Sequence, residues 1–441
     1  MRTSIHALTG FAAALALAAL TALPAASQPL AAATSPQSVG FDSARLKRLD
    51  DYMAGVVAQG RVAGMTTLLA RHGKIVAFNT YGQADLAGQR PMEKDAIFRI
   101  YSMSKPITGV AMMILFEEGK WRLEDPVTKF IPEFKNLQVM TGLDSQGGIA
   151  TEPMKRSPTM RELMSHTAGF GYGLSDNSPI DRLLKEKKAL GSTSLHQMIE
   201  RIATVPLKYQ PGTDWAYSAA VDIQGYIVEK LSGQSLGAFM EARIFRPLKM
   251  TDTAFQLPPD KKSRFAQVYA GDPATGKITL ATAGPSGAAI RDYTKPPSME
   301  SGGGGLASTT ADYARFSQMV LNKGELDGAR ILSPATIELM DTNVVPQDVL
   351  AKLQARGGTR FNEAVGFGLD FALVMDPRKA GSLEGKDSMT WDGAAGTWFW
   401  VDPTNDLIFV GMVQRMGGLP GDELAKQSRT LTYQALVDPR K

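Results

Sequence analysis

The chain has 441 residues, 44% of them hydrophobic and 21% charged, the balance of a globular protein with room for two or three structural units. Cysteine is absent, which excludes disulfides, thiol nucleophiles and Cys-bound zinc, and the four histidines (His6, His72, His166, His196) show no metal-ligand spacing. A net charge of +4, scattered along the chain, is too weak for nucleic-acid binding, so neither metal, cofactor nor nucleic acid is expected.

Read in chain order, MRTSIHALTGFAAALALAALTALPAAS at 1–27 has one early arginine, a Leu/Ala-rich run and a small-residue end, the layout of a secretory signal peptide. The run is too short and alanine-heavy for a membrane anchor. Cleavage is expected after Ser27 or as late as the alanine run at 31–33, and the expected product is an exported protein, periplasmic or secreted, with no stable membrane span. SARLKRLDDYMAGVVAQG then sets Leu46, Leu49, Met53, Val56 and Val57 on one helical face, with Gly60 as the stop. MTTLLARHGKIVAFNTYG reads as two strands joined at His72-Gly73. In IFRIYSMSKPITGVAMMILFEEG a helix must begin near Ser102, because Pro106 is tolerated only in a first turn, and it runs through Ile107, Val110, Ala111 and Ile114 to Gly119.

Further on, VDIQGYIVEKLSG puts Ile223, Tyr226, Ile227 and Leu231 on one helical face and ends at Gly233. A second helix, SLGAFMEARIFRPL, follows with Ser235 as its N-cap. SGGGGLAS at 301–308 lacks the Lys-Ser/Thr of a P-loop and, with Ala307, does not fit G-x-G-x-x-G; it reads as a flexible loop or a place of close backbone approach. GTWFWVDPTNDLIFVGMVQ forms two strands about the turn at 403–406, and DELAKQSRTLTYQALV closes the chain as a helix. The expected class is α+β. One antiparallel sheet is built from both chain ends, about 40–98 and 365–438, and is flanked by the terminal helices. A mostly helical region over about 99–364 is inserted, giving one domain over 40–435.

Two serines compete for chemistry. Gly233-Gln-Ser235-Leu-Gly237 spells the G-x-S-x-G of a nucleophile elbow, but that motif needs a strand before the serine, and here a helix precedes it. Ser102-Met-Ser-Lys105 is the only S-x-x-K in the chain. Residues three apart on a helix are neighbours, so the Lys105 amine reaches the Ser102 hydroxyl, and a helix N-terminus favours negative charge there. A serine hydroxyl needs a base, and lysine serves as one only when an apolar site disfavours its charged form. Locally, the alternative is a Ser102 N-cap with Lys105 on the surface.

With these motifs the sequence resembles the penicillin-binding protein and serine β-lactamase superfamily, and within it class C β-lactamases and family VIII carboxylesterases. The resemblance rests on Ser102-x-x-Lys105, LMSHTAGF at 163–170, YQPGTDWAYSAA at 209–220, GGGGLASTTADYARF at 302–316, and Trp391-Asp392-Gly393 where β-lactamases have Lys-Thr-Gly. It implies a β-lactamase/transpeptidase-like fold, Ser102 as acylated nucleophile, Lys105 and Tyr217 as the base network, and the Ser102 and Ala394 N–H groups as oxyanion hole. Which of Lys105 and Tyr217 takes the proton stays open. Substrate would lie against Trp391, Gly393 and Ala219. Two departures bear on its chemistry. Ala219 stands where Tyr-x-Asn supplies an amide, and Trp391 replaces the lysine that pairs with a substrate carboxylate, beside an Asp392 that repels anions if it faces the cleft. His166 is expected to end a helix and brace the cleft, not to act as a base. The expected function is a carboxylesterase for small uncharged esters working by a Ser–Lys–Tyr acyl-enzyme. The alternatives are a β-lactamase or D-amino-acid peptidase and, more distantly, a non-catalytic binding protein; transfer to an acceptor alcohol is also compatible.

Overall fold

The two ends of the chain meet in one sheet. The structure, a computed structural model, describes residues 30–439 apart from 175, 177, 273–274, 358–359 and 418–420. The signal segment at 1–27 lies outside the described residues.

Helix α1 (Ser43–Ala58) starts at Asp42, whose carboxylate accepts from Arg45 N–H at 2.8 Å, and buries the expected Leu46, Leu49, Met53 and Val56. Strands β1 (Gly64–Arg71) and β2 (Lys74–Asp85) follow, joined at His72 and Gly73 with φ of 52° and 68°, the paired left-handed turn that suits strand twist. After the short β3 (Arg90–Pro91) the chain leaves the sheet for the helical region. There α2 (Ser104–Glu117), α3 (Ala220–Ser232) and α4 (Thr310–Leu321) are the members that matter here. It returns as β4 (Val365–Phe367), β5 (Ala372–Val374), β6 (Ser388–Asp392), β7 (Trp398–Asp402) and β8 (Leu407–Val413), and closes with α5 (Gly421–Tyr433). The sheet order is β4-β5-β6-β7-β8-β1-β2-β3, antiparallel throughout, with β8 from one chain end paired to β1 from the other, Leu68 opposite Val410.

Every residue of β1 and β8 is buried because the sheet is covered on both faces. On one face Met65 and Leu69 join Trp398, Trp400 and Phe409 under α1 and α5, with Trp400 stacked on Phe409 at 4.3 Å. On the other, Leu68, Phe399 and Val410 meet the helical region, and Tyr313 of α4 packs on Phe399 at 4.9 Å. Side chains alternate across a strand, so one run of sequence feeds two cores. Truncating Trp400 to Ala costs about 3–5 kcal/mol on the usual scale for large aromatics.

Helix α2 is apolar all round, and its residues from Ser104 to Leu115 are all buried, which makes it the central strut of the helical region, packed on α3. Helix α3 ends at Gly233 (φ 70°), and Ser235 Oγ accepts from Ala238 N–H at 3.2 Å to cap the helix Leu236–Met240. The helical neighbours expected of Ser235 are therefore present. Among the described residues no helix is long and apolar enough to cross a membrane.

Candidate active site

The chain reaches Ser102 from β-like Arg99 through a single 3₁₀ turn, Tyr101–Met103, and the α-helix proper starts two residues after the serine. Tyr101 sits at φ 42°, a left-handed conformation that costs a non-glycine residue about 1–2 kcal/mol. The surroundings enforce it: Met103 N–H donates to Ile100 O at 3.0 Å, and Ile100 O lies against Gly393 of the strand end. Strain of this kind aims the serine outward from the end of a buried helix.

Three side chains converge on Ser102. Tyr217, on the extended loop before α3, brings Oη to 2.6 Å from Ser102 Oγ. Lys105, 1% exposed, donates from Nζ to Ser102 Oγ at 3.3 Å, to Tyr172 Oη at 2.9 Å and to Gly303 O at 2.6 Å. Those acceptors use all the donors an ammonium has, and the rings of Tyr217 and Tyr172 lie 4.5 and 4.9 Å from the nitrogen. Burial holds the Tyr172 phenol well above its usual 10, with Asp222 and Tyr217 adding to the effect, so it stays protonated and takes no proton from serine.

His166 ends its helix as expected, at φ 61° after Met160–Met164, and is buried behind Tyr217 with ring centroids 5.2 Å apart. Its Nδ1 pairs with Ser218 Oγ at 2.9 Å. Burial, and then the charge of Lys105, holds its pKa well below 6.5, leaving a neutral brace for the tyrosine. Trp391 on β6 faces the same cluster, 5.6 Å from Tyr217 and 5.4 Å from Phe367. Its outer face is covered by Arg360, whose guanidinium lies 4.1 Å over the ring and donates to Asp392 at 2.9 Å.

Two of the residues expected to touch substrate do something else. Gly393 is buried, and a Cβ there would collide with Thr397 Oγ1 and Ile100 O, so its missing side chain serves the approach of the 100–102 segment rather than a ligand. Ala219 is 1% exposed at the N-cap of α3 and donates its N–H to Gly171 O at 3.0 Å, presenting no surface to a cleft. Trp391, 2% exposed under Arg360, can meet a ligand only where that side chain yields. Ala394 is exposed, and among the described residues neither its N–H nor that of Ser102 has a hydrogen-bond acceptor.

The beta-lactamase family model matches residues 49–434, nearly the whole described chain. The chain belongs to the beta-lactamase family. It is 35% identical over 370 residues to Protein Rv1367c of Mycobacterium tuberculosis, covering 83% of this chain and 89% of that one. Esterase EstB of Burkholderia gladioli is 31% identical over 387 residues, 84% of this chain and 91% of that one. Among solved structures, EstCE1, described as a hydrolase with promiscuous acyltransferase activity, superposes with a TM-score of 0.71 at 24% identity, over 88% of this chain and 99% of that chain, a likeness of fold. The chain is thus a serine hydrolase of the beta-lactamase family with the expected α+β fold.

The structure places Ser102, Lys105 and Tyr217, the residues singled out by their motifs, side by side, and motif reading missed what surrounds the lysine. Tyr172 stands two residues beyond the 163–170 motif, a position that spacing alone does not mark. The glycine run is a place of close approach rather than a loose loop, since Gly303 O takes the shortest of the three bonds from Lys105.

Proposed function

We propose that this serine hydrolase is a carboxylesterase that cleaves small uncharged esters through an acyl-enzyme on Ser102. The observation that carries the reading is the placement of Ser102 Oγ between Tyr217 Oη at 2.6 Å and Lys105 Nζ at 3.3 Å, with Tyr217 backed by the buried rings of Trp391 and Phe367. Ser102 Oγ attacks the ester carbonyl carbon while its proton passes into the Tyr217–Lys105 pair; the carbonyl oxygen becomes an oxyanion aimed at the free N–H groups of Ser102 and Ala394. Collapse breaks the C–O bond, the alcohol leaves with the stored proton, and water repeats the sequence on the acyl-serine. The curated name of EstB supports the ester as substrate class.

Ala219 offers no amide to an acylamino group, and Trp391 no charge to a carboxylate. A second reading, toward anionic lactams or peptides, is favoured by one observation, the Arg360 guanidinium over Trp391; its charge is met by Asp392. Acyl transfer to an acceptor alcohol is compatible with the same acyl-enzyme, and EstCE1, of the same fold, is described as having promiscuous acyltransferase activity. The Leu/Ala-rich segment at 1–27 adds the proposal that the enzyme works outside the cytoplasm.

A panel on purified protein tests the substrate class. Turnover of p-nitrophenyl butyrate is expected to exceed that of nitrocefin by about 10²-fold in kcat/KM, a ratio within reach of two missing polar contacts. Equal turnover of the two would move the assignment to the lactam branch.

A further inference from the structure

Resting on that reading, we propose that Asp222 is a positioning residue for acylation: its carboxylate fixes the Gly303 carbonyl that holds the Lys105 amine against Ser102. Lysine is a flexible side chain with a point charge at its tip, so its aim depends on what its donors find. The shortest of its three bonds goes to Gly303 O at 2.6 Å, a backbone carbonyl inside a run of four glycines. Such a run has no side chains of its own to define its path.

Neighbouring groups define it instead: Arg291 holds Gly305 O at its far end, and two side chains anchor the part that meets the lysine. Thr108, one turn beyond Lys105 on α2, donates to Gly302 O at 2.8 Å. Asp222, in the first turn of α3, accepts from Gly303 N–H at 3.1 Å and from Ser301 Oγ at 2.5 Å, both on Oδ1. One peptide unit later, the same glycine turns its carbonyl to the lysine. The fit leaves room for glycine alone, because a Cβ at 303 would collide with Asp222 Oδ2 and stand 2.8 Å from Tyr172 Oη.

Retaining this carboxylate is costly. Asp222 is 0% exposed, and Oδ2 has no hydrogen-bond partner among the described residues. Burial raises its pKa, and the nearby Lys105 charge opposes the rise. A buried carboxyl with one bare oxygen is poor stability design, since an apolar side chain of similar size would leave no unpaired group. Its geometry is accounted for by what it holds, the loop that meets the base network.

The test compares Asp222→Ala, Asp222→Asn and Ser301→Ala in the full protein. Readouts are kcat and KM on p-nitrophenyl butyrate, the rate of fluorophosphonate labelling, and a thermal melt. For Asp222→Ala we expect kcat and labelling rate to fall together by about 10²-fold with KM within about threefold, the signature of a misplaced catalytic group rather than a lost binding contact. Asp222→Asn keeps one oxygen for Gly303 N–H and should recover to within about tenfold of the parent, and Ser301→Ala should lose about threefold in kcat alone. A folded Asp222→Ala protein with parental kcat, or an Asp222→Asn protein as impaired as the alanine variant, would overturn the proposal. Should the alanine variant fail to fold, Asp222→Asn losing more than about 10²-fold in kcat would overturn it instead. The parent protein keeps the two claims apart. If parental Ser102 takes no label, the acyl-enzyme reading fails; if it labels and Asp222→Ala labels as fast, only the role of Asp222 fails.

Discussion

Ser102 Oγ has two polar side chains beside it, and they stand at different distances, Tyr217 Oη at 2.6 Å and Lys105 Nζ at 3.3 Å. Lys105 also has two further acceptors, which ties its nitrogen into the buried side of the site. Tyr217 is the nearer of the two to Ser102, and Lys105 Nζ lies 4.5 Å from its ring. Tyr217→Phe is therefore expected to lower kcat by about 10²–10⁴-fold, the range for a positioned proton-transfer group, with KM little changed. Lys105→Ala should abolish acylation and leave a folded protein with an altered thermal midpoint. Parental turnover by either variant contradicts the assignment. His166 carries a prediction of its own. Its folded pKa is depressed by burial, so above the unfolded value of about 6.5 both states are neutral and its contribution to stability is complete. As pH falls below that value the unfolded imidazole takes a proton that the folded one refuses, and stability is lost at up to about 1.4 kcal/mol per pH unit. Unfolding free energies of the parent and of His166→Asn, measured between about pH 7 and pH 5, should differ in slope by that amount. Asp222 and Asp370, whose pKa values burial raises, act in the opposite sense, but equally in both proteins, and cancel from the difference. Parallel curves would mean that His166 is solvated.

At the scale of elements, the proposed chemistry sits between the start of α2, with Lys105 in its first turn and Ser102 two residues before it, and the end of β6, with Trp391 on the strand and Ala394 two residues past it. Periodicity located the helices: the expected face of α1 is buried save for a half-buried Val57, α3 buries Ile223 and Ile227 but leaves Tyr226 and Leu231 half-buried, and a helix precedes Ser235 where the G-x-S-x-G motif needs a strand. Pro106 set the start of α2 to within two residues, because a ring that clashes with the preceding turn leaves little choice. What periodicity cannot carry is contact across the chain. Tyr172, Gly303 and Asp222 meet Lys105 or its loop from 67 to 198 residues away, and Arg360 reaches Asp392 over 32. The buried state of Gly393 and Ala219 was hidden for the same reason, since small residues read alike at a ligand surface and at a tight backbone crossing. Arg360 over Trp391 shapes the third prediction. A Trp391→Lys side chain would face a guanidinium now 4.1 Å from the ring, displace it by like-charge repulsion and present its own cation. The ratio of nitrocefin to p-nitrophenyl butyrate turnover should rise by about tenfold, with both rates low because Ala219 still offers no amide. An unchanged ratio would mean that substrate never passes this end of the strand.

At the scale of the whole molecule, the sheet that joins the chain ends is what holds the site at its edge. Strand β8 pairs with β1 along seven residues and with β7 along five, so the end of β6 is fixed relative to α4 and α2 by both ends of the chain at once. That closure was legible because hairpin signals stand at both ends of the sequence, and the family resemblance supplied the order of what lies between them. The central claim is that this frame activates one serine. A fluorophosphonate reacts only with a serine that has a base beside it and donors for the oxyanion, so the labelled peptide names the nucleophile. Digestion and mass analysis of the labelled protein should find the adduct on Ser102 alone. Ser102→Ala should lose both label and esterase activity, while Ser235→Ala keeps both and loses about 1 kcal/mol of stability as an N-cap. An adduct on Ser235, or an unlabelled Ser102 in an active enzyme, would contradict the account.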